Sequence, residues 1–249
     1  MMFFFKKKKI VLDCFTDRQY VMDYAQIDHA YKFLPQWWKA LPKAVQQRDS
    51  PAPDPTMKTC FGFTNLYQQG AIIPMWTEAI VGIGEIGSKF CKIEFADTQT
   101  GVYVHGAIQR GTYLPEEHYS HVKIMSPWHV QCTEEINWMF TFPSWSHPYP
   151  EEFIVPPGCV DFKYQMSTNI NMFVKHGTQR RLVTIEPGTP MIHLIPLSDR
   201  ELDIKCHLIG KEELERIDSR HTRVSFVNKY SKIKKLIKKQ DKGICPFKF

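Results

Sequence analysis

The sequence predicts a mainly β fold, an antiparallel sandwich, jelly roll or small barrel, with an N-terminal arm and a C-terminal amphipathic basic helix. The 249-residue chain is 43% hydrophobic and 13% aromatic, which is enough to fill a core and favours strands. Between residues 71 and 209, short apolar runs are separated by turn signals such as Pro156-Pro157-Gly158 and Pro187-Gly188. No helical pattern alternates with these runs, so a parallel α/β fold is not expected.

The N-terminal arm is predicted to span residues 1–57. Residues 9–16 alternate like a first strand, and residues 20–38 mix helical spacing with turns. Residues 46–57 then contain the run Ser50-Pro51-Ala52-Pro53-Asp54-Pro55, in which alternate prolines hold the backbone extended. Such a run is typical of a linker between an arm and a body.

The body, residues 58–210, begins with a predicted short helix over residues 61–69, which Gly70 ends. The strands predicted after it cover residues 72–83, 89–96, 102–108, 121–125, 136–142, 153–164, 169–175, 181–185, 191–197 and 203–209. The stretch Gly82-Ile83-Gly84-Glu85-Ile86-Gly87 matches the pattern GxGxxG, but the residues after it alternate like a strand. We therefore expect a hairpin turn here, because a dinucleotide-binding loop requires a following helix.

The C-terminal segment, residues 211–249, changes its hydrophobic period. Apolar residues recur mostly at three- and four-residue intervals over residues 211–240, which predicts one or two amphipathic helices packed on the body. The basic residues of the polar face are candidate contacts with a partner: Arg220, Arg223, Lys232, Lys235 and Lys239. A solvated charged face is the alternative interpretation of the same pattern.

Positive charge is concentrated at the two ends of the chain. The net charge is +6, yet the four lysines Lys6 to Lys9 and residues 220–242 together carry more positive charge than that. The remainder of the chain is therefore mildly acidic. A nucleic-acid-binding protein usually carries its basic residues on the binding face itself. Nucleic-acid binding is accordingly not expected, except through the basic tails.

His118 and His121 belong to the densest histidine cluster and are the candidate metal ligands. They are three residues apart, so on one strand their side chains would face opposite sides. The patterns His-x-His and HExxH do not occur in the sequence, and a metal site needs at least three converging ligands. We therefore expect solvated or core histidines, with no bound metal and no cofactor.

Cysteine usage and hydropathy indicate the compartment. The seven cysteines are scattered and form no CxxC pair, which is typical of reduced thiols in a cytosol. The apolar residues at the start precede Lys6 to Lys9, whereas a signal peptide places its charge first. No run approaches the roughly 18 apolar residues of a membrane span. We expect a cytoplasmic protein without a membrane span.

The layout of residues 137–196 resembles the trimeric dUTPase and dCTP deaminase superfamily. Gly158-Cys159-Val160-Asp161, with Tyr164 shortly after it, is similar to the uracil-recognising hairpin of that family, and the turn at Pro187-Gly188 is similar to its later turn. The resemblance implies a β-clip barrel, often a homotrimer, with Asp161 as the water-activating carboxylate and Tyr164 as the hairpin tyrosine. The Arg and Gly of the family's phosphate motif are missing from residues 142–147, so the resemblance implies the fold more than the hydrolysis.

Taken whole, the chain resembles a family of proteins encoded by large tailed marine phages (cyanophage-like myoviruses). The matching segments include Trp37-Trp38-Lys39, Ile73-Pro74-Met75-Trp76 and Ser126-Pro127-Trp128, which are structural rather than catalytic. We expect a phage accessory protein that acts by binding rather than catalysis in the host cytoplasm, through a protein partner or self-association. The alternatives are a nucleotide-binding protein or enzyme with a site near Asp161, and a structural protein of the virion.

Overall fold

The computed structural model describes residues 8–48, 51–88 and 90–219, together with Lys235 and Lys238. Over these residues the fold is mainly β, as predicted. The strands are β1 (Ile10–Thr16), β2 (Asp28–His29), β3 (Ala44–Val45), β4 (Asp54–Pro55), β5 (Ala71–Pro74), β6 (Ala79–Ile83), β7 (Cys91–Phe95), β8 (Val102–His105), β9 (Tyr119–Ile124), β10 (His129–Gln131), β11 (Asn137–Thr141), β12 (Phe153–Ile154), β13 (Gly158–Asp161), β14 (Ile170–Lys175), β15 (Arg181–Ile185), β16 (Pro190–Pro196) and β17 (Leu202–Leu208). The α-helices are α1 (Gln19–Tyr24), α2 (Gln36–Ala40), α3 (Phe61–Gln68) and α4 (Lys211–Ser219), and 3-10 turns lie at Ala30–Phe33, Met57–Thr59 and Ala107–Gln109.

The strands form several sheets that are mostly antiparallel. A five-stranded sheet has the order β13-β11-β16-β5-β2, and a four-stranded sheet has the order β12-β14-β9-β8. Two three-stranded sheets have the orders β10-β1-β17 and β15-β6-β7, and β3 pairs with β4. Antiparallel sheets were expected and are confirmed, but the described strands do not close into a barrel. The barrel alternative is therefore wrong for this part of the chain, because each sheet ends in strands without a further partner.

Strand β1 shows how the alternation of the sequence directs packing. Ile10, Leu12 and Cys14 are fully buried, while the residues between them are partly exposed. The strand lies between β10, with which it is antiparallel, and β17, with which it is parallel along its whole length. The first strand of the predicted N-terminal arm thus contributes side chains to the main core. The predicted boundaries after residues 57 and 210 stay predictions.

Two of the predicted strands are wrong because each of them spans a change of sheet. Residues 72–83 form β5 and β6, which lie in different sheets and are joined by a segment that contains the buried Met75 and Trp76. Residues 153–164 form β12 and β13, with Pro156 and Pro157 between them, and proline cannot donate a ladder hydrogen bond. A continuous apolar run indicates burial on both faces and does not mark where the chain turns.

Two local predictions are confirmed. Strands β6 and β7 pair antiparallel as far as Ile83 and Cys91, so the GxGxxG stretch is a hairpin turn. Helix α3 ends at Gln68, and Gly70 follows with a φ of 81°. A Cβ atom at Gly70 would lie 2.1 Å from the carbonyl oxygen of Leu194. This position therefore requires glycine for its left-handed backbone and for the close approach of β16.

The main core contains three tryptophans, Trp76, Trp128 and Trp138, each at most 2% exposed. The indole Nε1 of Trp128 donates a hydrogen bond of 3.1 Å to the carbonyl oxygen of Ala25. This contact ties the segment before β10 to the end of α1, so residues distant in the sequence are held by one buried side chain. Burial of such large aromatic surfaces is a major source of stability in a β protein of this size.

The described part of the C-terminal segment is short. Helix α4 begins at Lys211, where the sequence predicts a helix, and its bounds end at Ser219. Most of the predicted basic face lies outside the described residues. Lys238 lies within them, and its Nζ forms an ion pair of 2.6 Å with Oε1 of Glu135. In the part of the chain that the structure describes, every helix is too short or too polar to cross a membrane.

Candidate functional site

One face of the four-stranded sheet carries side chains that are suited to binding. In β9, Ser120, Val122 and Ile124 point into the protein and are buried, whereas the side chains between them are partly exposed. The same alternation places Asn171 of β14 on the exposed side, between the buried Ile170 and Met172. We call this exposed side the outer face of the sheet.

Two cross-strand rows run over the outer face. In the first row, Asn171 of β14 lies opposite Lys123 of β9, which lies opposite Tyr103 of β8. The Tyr103 side chain is 60% exposed, so its ring is open to a ligand. Directly opposite residues on one face of an antiparallel pair have Cβ atoms about 4.5–5.5 Å apart. The side chains of Asn171, Lys123 and Tyr103 therefore leave the backbone at neighbouring positions across three strands.

The second row consists of neighbouring rings, of which Phe173 and His121 are stacked and His121 and His105 are tilted. Phe173, His121 and His105 occupy opposite positions on β14, β9 and β8. The ring centroids of Phe173 and His121 are 4.5 Å apart, and those of His121 and His105 are 4.6 Å apart. The Arg110 guanidinium lies 5.9 Å from the Phe173 ring centroid, and its Nη1 donates to the carbonyl oxygen of Tyr119 at 2.8 Å. The row is thus ordered by packing and bears a fixed positive charge.

The electrostatics of the second row disfavour further positive charge. Burial, the neighbouring His105 and the Arg110 charge lower the pKa of His121, and a hydrogen bond with Asn171 acts in the opposite direction. His121 is therefore neutral at physiological pH, when its ring nitrogens can serve as one donor and one acceptor. The Nδ1 atom of His121 is buried and has no hydrogen-bond partner. An anion near Arg110 would supply the negative charge that this row lacks.

A cavity of about 220 Å³ adjoins the outer face between β13 and β14. Four uncharged hydrogen-bonding side chains contribute to its wall: Gln165, Ser167, Asn169 and Asn171. The opposite wall is made by Phe140 and by the backbone and side chains of β13 with the preceding Val155 and Pro156. Strand β13 is the edge strand of the five-stranded sheet, and its residues Gly158, Cys159 and Val160 line the cavity. The cavity is thus lined by side-chain amides, a hydroxyl and an aromatic ring.

The predicted residues Asp161 and Tyr164 do not line this cavity, although neighbouring residues of the same segment do. Asp161 is 2% exposed, and its Oδ1 accepts the N–H of Lys163 at 3.0 Å. Its carbonyl oxygen also accepts the backbone N–H groups of Tyr164 and Gln165, which closes the turn after β13. Tyr164 is fully buried, and its hydroxyl donates to Glu135 at 3.2 Å. These two residues shape the turn that carries Gln165 into the cavity wall. The segment is not a hairpin, because β13 pairs with β11 and the following strand β14 lies in a different sheet.

The candidate metal ligands are separated by the strand geometry. His118 is exposed and lies just before β9, while His121 lies on the outer face beside His105. Within residues 8–219, as far as these are described, no group of three or more His, Cys, Asp or Glu side chains could hold a metal ion. The structure thus brings His121 together with His105 and Asn171, and does not bring it together with His118 in such a group.

The predicted basic contacts fall mainly outside the described residues. Arg220, Arg223, Lys232 and Lys239 are among those that are not described, and Lys235 is helical and exposed. That this segment contacts a partner stays a prediction.

Sequence reasoning missed Tyr103, Lys123 and Asn171. The alternation of β9 and β14 is visible in the sequence and could have placed Lys123 and Asn171 on exposed faces. Their alignment across three strands depends on register, which the local pattern does not determine. In comparisons with known proteins, no family model matches this chain, and neither does any curated protein. The geometry of the outer face and its cavity therefore carries the functional argument.

Proposed function

We propose that this protein acts by binding, and that its ligand is a nucleotide held on the outer face of the four-stranded sheet. The base would occupy the cavity between β13 and β14, and the phosphate would lie towards Lys123. The observation that supports this most directly is that Asn171 belongs both to the wall of the uncharged cavity and to the row that contains Lys123 and Tyr103. A neutral subsite and a cationic subsite are thus contiguous.

The cavity suits one heterocyclic base rather than a whole nucleotide. Its volume of about 220 Å³ lies below the range of roughly 300–1,000 Å³ that is usual for drug-sized ligands. Side-chain amides such as those of Gln165 and Asn169 can present a donor and an acceptor together, as the edge of a base requires. Asn169 is already fixed, because its Oδ1 accepts the backbone N–H of Ser126 at 3.2 Å. Phe140 supplies an apolar wall for the ring.

The cationic subsite suits a phosphate group. Lys123 lies opposite Asn171, and the guanidinium of Arg110 lies farther along the sheet beside Phe173. Ammonium and guanidinium groups bind phosphate through charge-assisted hydrogen bonds. The partly exposed Lys123 would contribute modestly, since solvent and salt screen its charge.

The sequence resemblances suggest where such a binding protein would act. A phage accessory protein that binds a nucleotide in the infected cell would combine the expected binding role with the alternative site near Asp161. In this view, Asp161 and Tyr164 act by holding the turn after β13 rather than by touching the ligand. Participation in the virion is the alternative, and mass spectrometry of purified particles tests it, since absence from particles would exclude a structural role there.

The proposal is tested by a thermal-shift screen against nucleosides and their mono-, di- and triphosphates. A ligand at about 100 times its dissociation constant stabilises the folded state by roughly 2.7 kcal/mol, which raises Tm by several degrees in a chain of this size. Lys123→Gln should weaken binding of the nucleotide by roughly 5- to 30-fold, equivalent to about 1–2 kcal/mol, and leave binding of the matching nucleoside unchanged. Asn171→Ala should weaken binding of both ligands.

Lys205→Gln is the matched control, because Lys205 is an exposed strand lysine in a different sheet. It should leave both affinities unchanged. The proposal fails if neither nucleosides nor nucleotides shift Tm, or if Lys123→Gln behaves like Lys205→Gln towards every nucleotide that binds.

Self-association is a second candidate function, supported by the exposed apolar side chains at the β8 edge. Strand β8 is the last strand of its sheet, and Val104 and Ile108 are 63% and 97% exposed. An unpaired strand edge with apolar flanks can pair with another chain. We expect Ile108→Asp to lower the association constant in analytical ultracentrifugation, and a monomer at all concentrations in the unsubstituted protein would exclude this function.

A further inference from the structure

Two cysteines face each other across the parallel strands β1 and β17. Cys14 and Cys206 are direct register partners in this pair, which joins the first and the last of the described strands. Both cysteines are reduced, and each thiol donates to a backbone carbonyl oxygen, Cys14 to that of Leu12 at 3.8 Å and Cys206 to that of Ile27 at 3.4 Å. Neighbouring strands lie about 4.7–4.9 Å apart, which falls within the Cα separation of about 4.4–6.8 Å that disulfides require. The backbone thus already holds the two residues at a distance that a disulfide can bridge.

The two thiols differ in environment. Cys14 is fully buried, and burial raises the pKa of its thiol, as does its interaction with Cys206. Cys206 is partly exposed, and its interaction with Cys14 lowers the pKa of its thiol, although burial opposes this effect. Its Sγ also contacts the carbonyl oxygen of Ile27 at 3.4 Å. A partly exposed cysteine with a lowered thiol pKa beside a second cysteine is the arrangement found in redox-sensitive cysteine pairs.

The other described cysteines lack this combination. Burial raises the pKa of Cys91 to about 11 and also raises the pKa of Cys132, so their thiolates are disfavoured. Cys60 and Cys159 are exposed, but neither has a cysteine opposite it in the described strand registers. Selective oxidation at Cys206 is therefore favoured over oxidation at these positions.

We propose that Cys206 and Cys14 form a peroxide-reactive pair that closes into an intramolecular disulfide. In the first step the Cys206 thiolate attacks one oxygen of hydrogen peroxide, the O–O bond breaks, and Cys206 sulfenic acid and, after protonation, water are formed. In the second step the sulfur of Cys14 attacks the sulfenic sulfur, the S–O bond breaks, and a second water leaves. The two thiols lose two electrons and two protons in total, and the peroxide is reduced to two waters. Cys206 is the peroxidatic residue and Cys14 is the resolving residue.

The disulfide would join β1 covalently to β17 in the middle of the three-stranded sheet. These strands already pair along their full length, so the cross-link requires no new strand arrangement. It would prevent β1 from separating from the sheet, and so would act on the stability of the N-terminal strand. This inference is independent of the nucleotide site, because neither cysteine lines the cavity between β13 and β14.

The test is peptide mapping of the full-length protein after treatment with hydrogen peroxide and alkylation of the remaining thiols. Trypsin cleaves after Lys9, Arg18, Lys205 and Lys211, so Cys14 and Cys206 leave in separate peptides, residues 10–18 and 206–211. We expect these peptides to be joined in the native protein, with the loss of two hydrogens, and to be released by dithiothreitol. In protein oxidised in urea, Cys206 should link to Cys14 no more often than to the other cysteines. Preferential linkage of Cys206 to another cysteine, or its conversion to sulfinic acid without linkage to Cys14, would overturn the proposal.

Two variants assign the two roles, and a third is the control. In Cys14→Ala, dimedone should trap a sulfenic acid at Cys206, because no resolving thiol remains. In Cys206→Ser, Cys14 should stay a free thiol under the same exposure, and its oxidation at the rate seen in the unsubstituted protein would contradict the order of steps. Cys60→Ser is the matched control, and it should leave the linkage unchanged. If Cys14→Ala does not fold, the peptide map of the unsubstituted protein still decides the proposal.

Discussion

The carboxylate of Asp97 holds together a hydrogen-bond network that makes a quantitative prediction possible. Its Oδ2 accepts hydrogen bonds from Arg18 Nη1 at 2.7 Å, Tyr20 Oη at 2.6 Å and Thr100 Oγ1 at 2.7 Å. Its Oδ1 accepts the backbone N–H of Gln99 at 2.8 Å. The side chains of Arg18 and Asp97 are only 16% and 13% exposed. The network connects the start of α1 to the segment between β7 and β8.

Replacing Asp97 by asparagine should lower the free energy of unfolding, although the two side chains have the same shape. The amide has one acceptor oxygen, so either the three side-chain donors or the backbone N–H would face its NH₂ group. Breaking a buried ion pair costs about 3–5 kcal/mol, and we take the lower end, about 3 kcal/mol, because the pair keeps some solvent contact. Urea unfolding followed by circular dichroism measures this loss, and Tm should fall by roughly 6–12 °C.

The same network predicts a dependence on pH. Burial raises the pKa of Asp97, but the hydrogen bonds from Tyr20, Thr100 and the Gln99 backbone, with the Arg18 charge, outweigh it and hold the pKa below the usual value. A lowered pKa in the folded state means that the stabilisation is complete above the unfolded pKa of about 3.9 and is lost as the pH falls through the folded pKa. The difference in unfolding free energy between the unsubstituted protein and Asp97→Asn should therefore be constant from about pH 7 to 5 and become smaller below about pH 4.

Asp203→Asn is the control for this prediction, because Asp203 forms an exposed ion pair with Lys205 at 3.9 Å. Such a pair contributes little, so the free energy of unfolding should change by less than about 0.5 kcal/mol. If Asp97→Asn is as mild as Asp203→Asn, the reasoning about the shared carboxylate is refuted.

Further predictions concern one histidine and one glycine. His147 is 5% exposed, and burial lowers its pKa to about 4. Between about pH 6.5 and pH 4 the imidazole is protonated only in the unfolded state, so the free energy of unfolding is highest above pH 6.5 and falls as the pH falls towards 4. Relative to His147→Gln, the unsubstituted protein should lose about 3 kcal/mol of unfolding free energy across that range, and parallel pH profiles in urea unfolding would contradict this. Gly70→Ala should cost roughly 2–4 kcal/mol in the same assay, because a Cβ would lie 2.1 Å from the Leu194 oxygen at a φ of 81°. Gly188→Ala, with a φ of 83° and no atom within 4 Å, should cost only about 1–2 kcal/mol, and an equal loss at both positions would exclude the contact with β16 as the cause.

Local alternation in the sequence predicted several elements because their faces differ in exposure. Strand β1 alternates between buried and partly exposed residues, and the prediction of a strand over residues 9–16 is confirmed there. The hairpin at Gly82 to Gly87 was predicted in the same way, since the residues after the glycines alternate like a strand. Period-2 patterns survive tertiary folding whenever one face is covered and the other is not.

The same reasoning failed where both faces are covered. All four residues of β5 are buried, and the buried Met75 and Trp76 follow, so no polar residue marks the end of the strand. Short strands were also missed: β10 covers three residues, too few to show a period. Its place beside β1 is decided by pairing with a strand more than a hundred residues earlier in the chain.

The candidate site, too, was predictable from the sequence only in part. Sequence motifs singled out the segment with Asp161 and Tyr164, and the structure puts a cavity beside that segment, but both side chains are buried and neither lines it. His121 was singled out with His118, yet its neighbours are His105 and Phe173 on adjacent strands. A motif can locate a segment, whereas the direction of each side chain depends on how the strand packs.

By itself, the sequence determined the mainly β character, the main alternating strands, the helix ended by Gly70 and the concentration of positive charge at the two ends, because composition, period and backbone preference are local properties. Only the tertiary structure decided that β1 pairs with β17, that Cys14 faces Cys206, and that Asn171, Lys123 and Tyr103 align on one face. These contacts join residues far apart in the chain, and register between such strands follows from the packing of the whole core rather than from any segment alone.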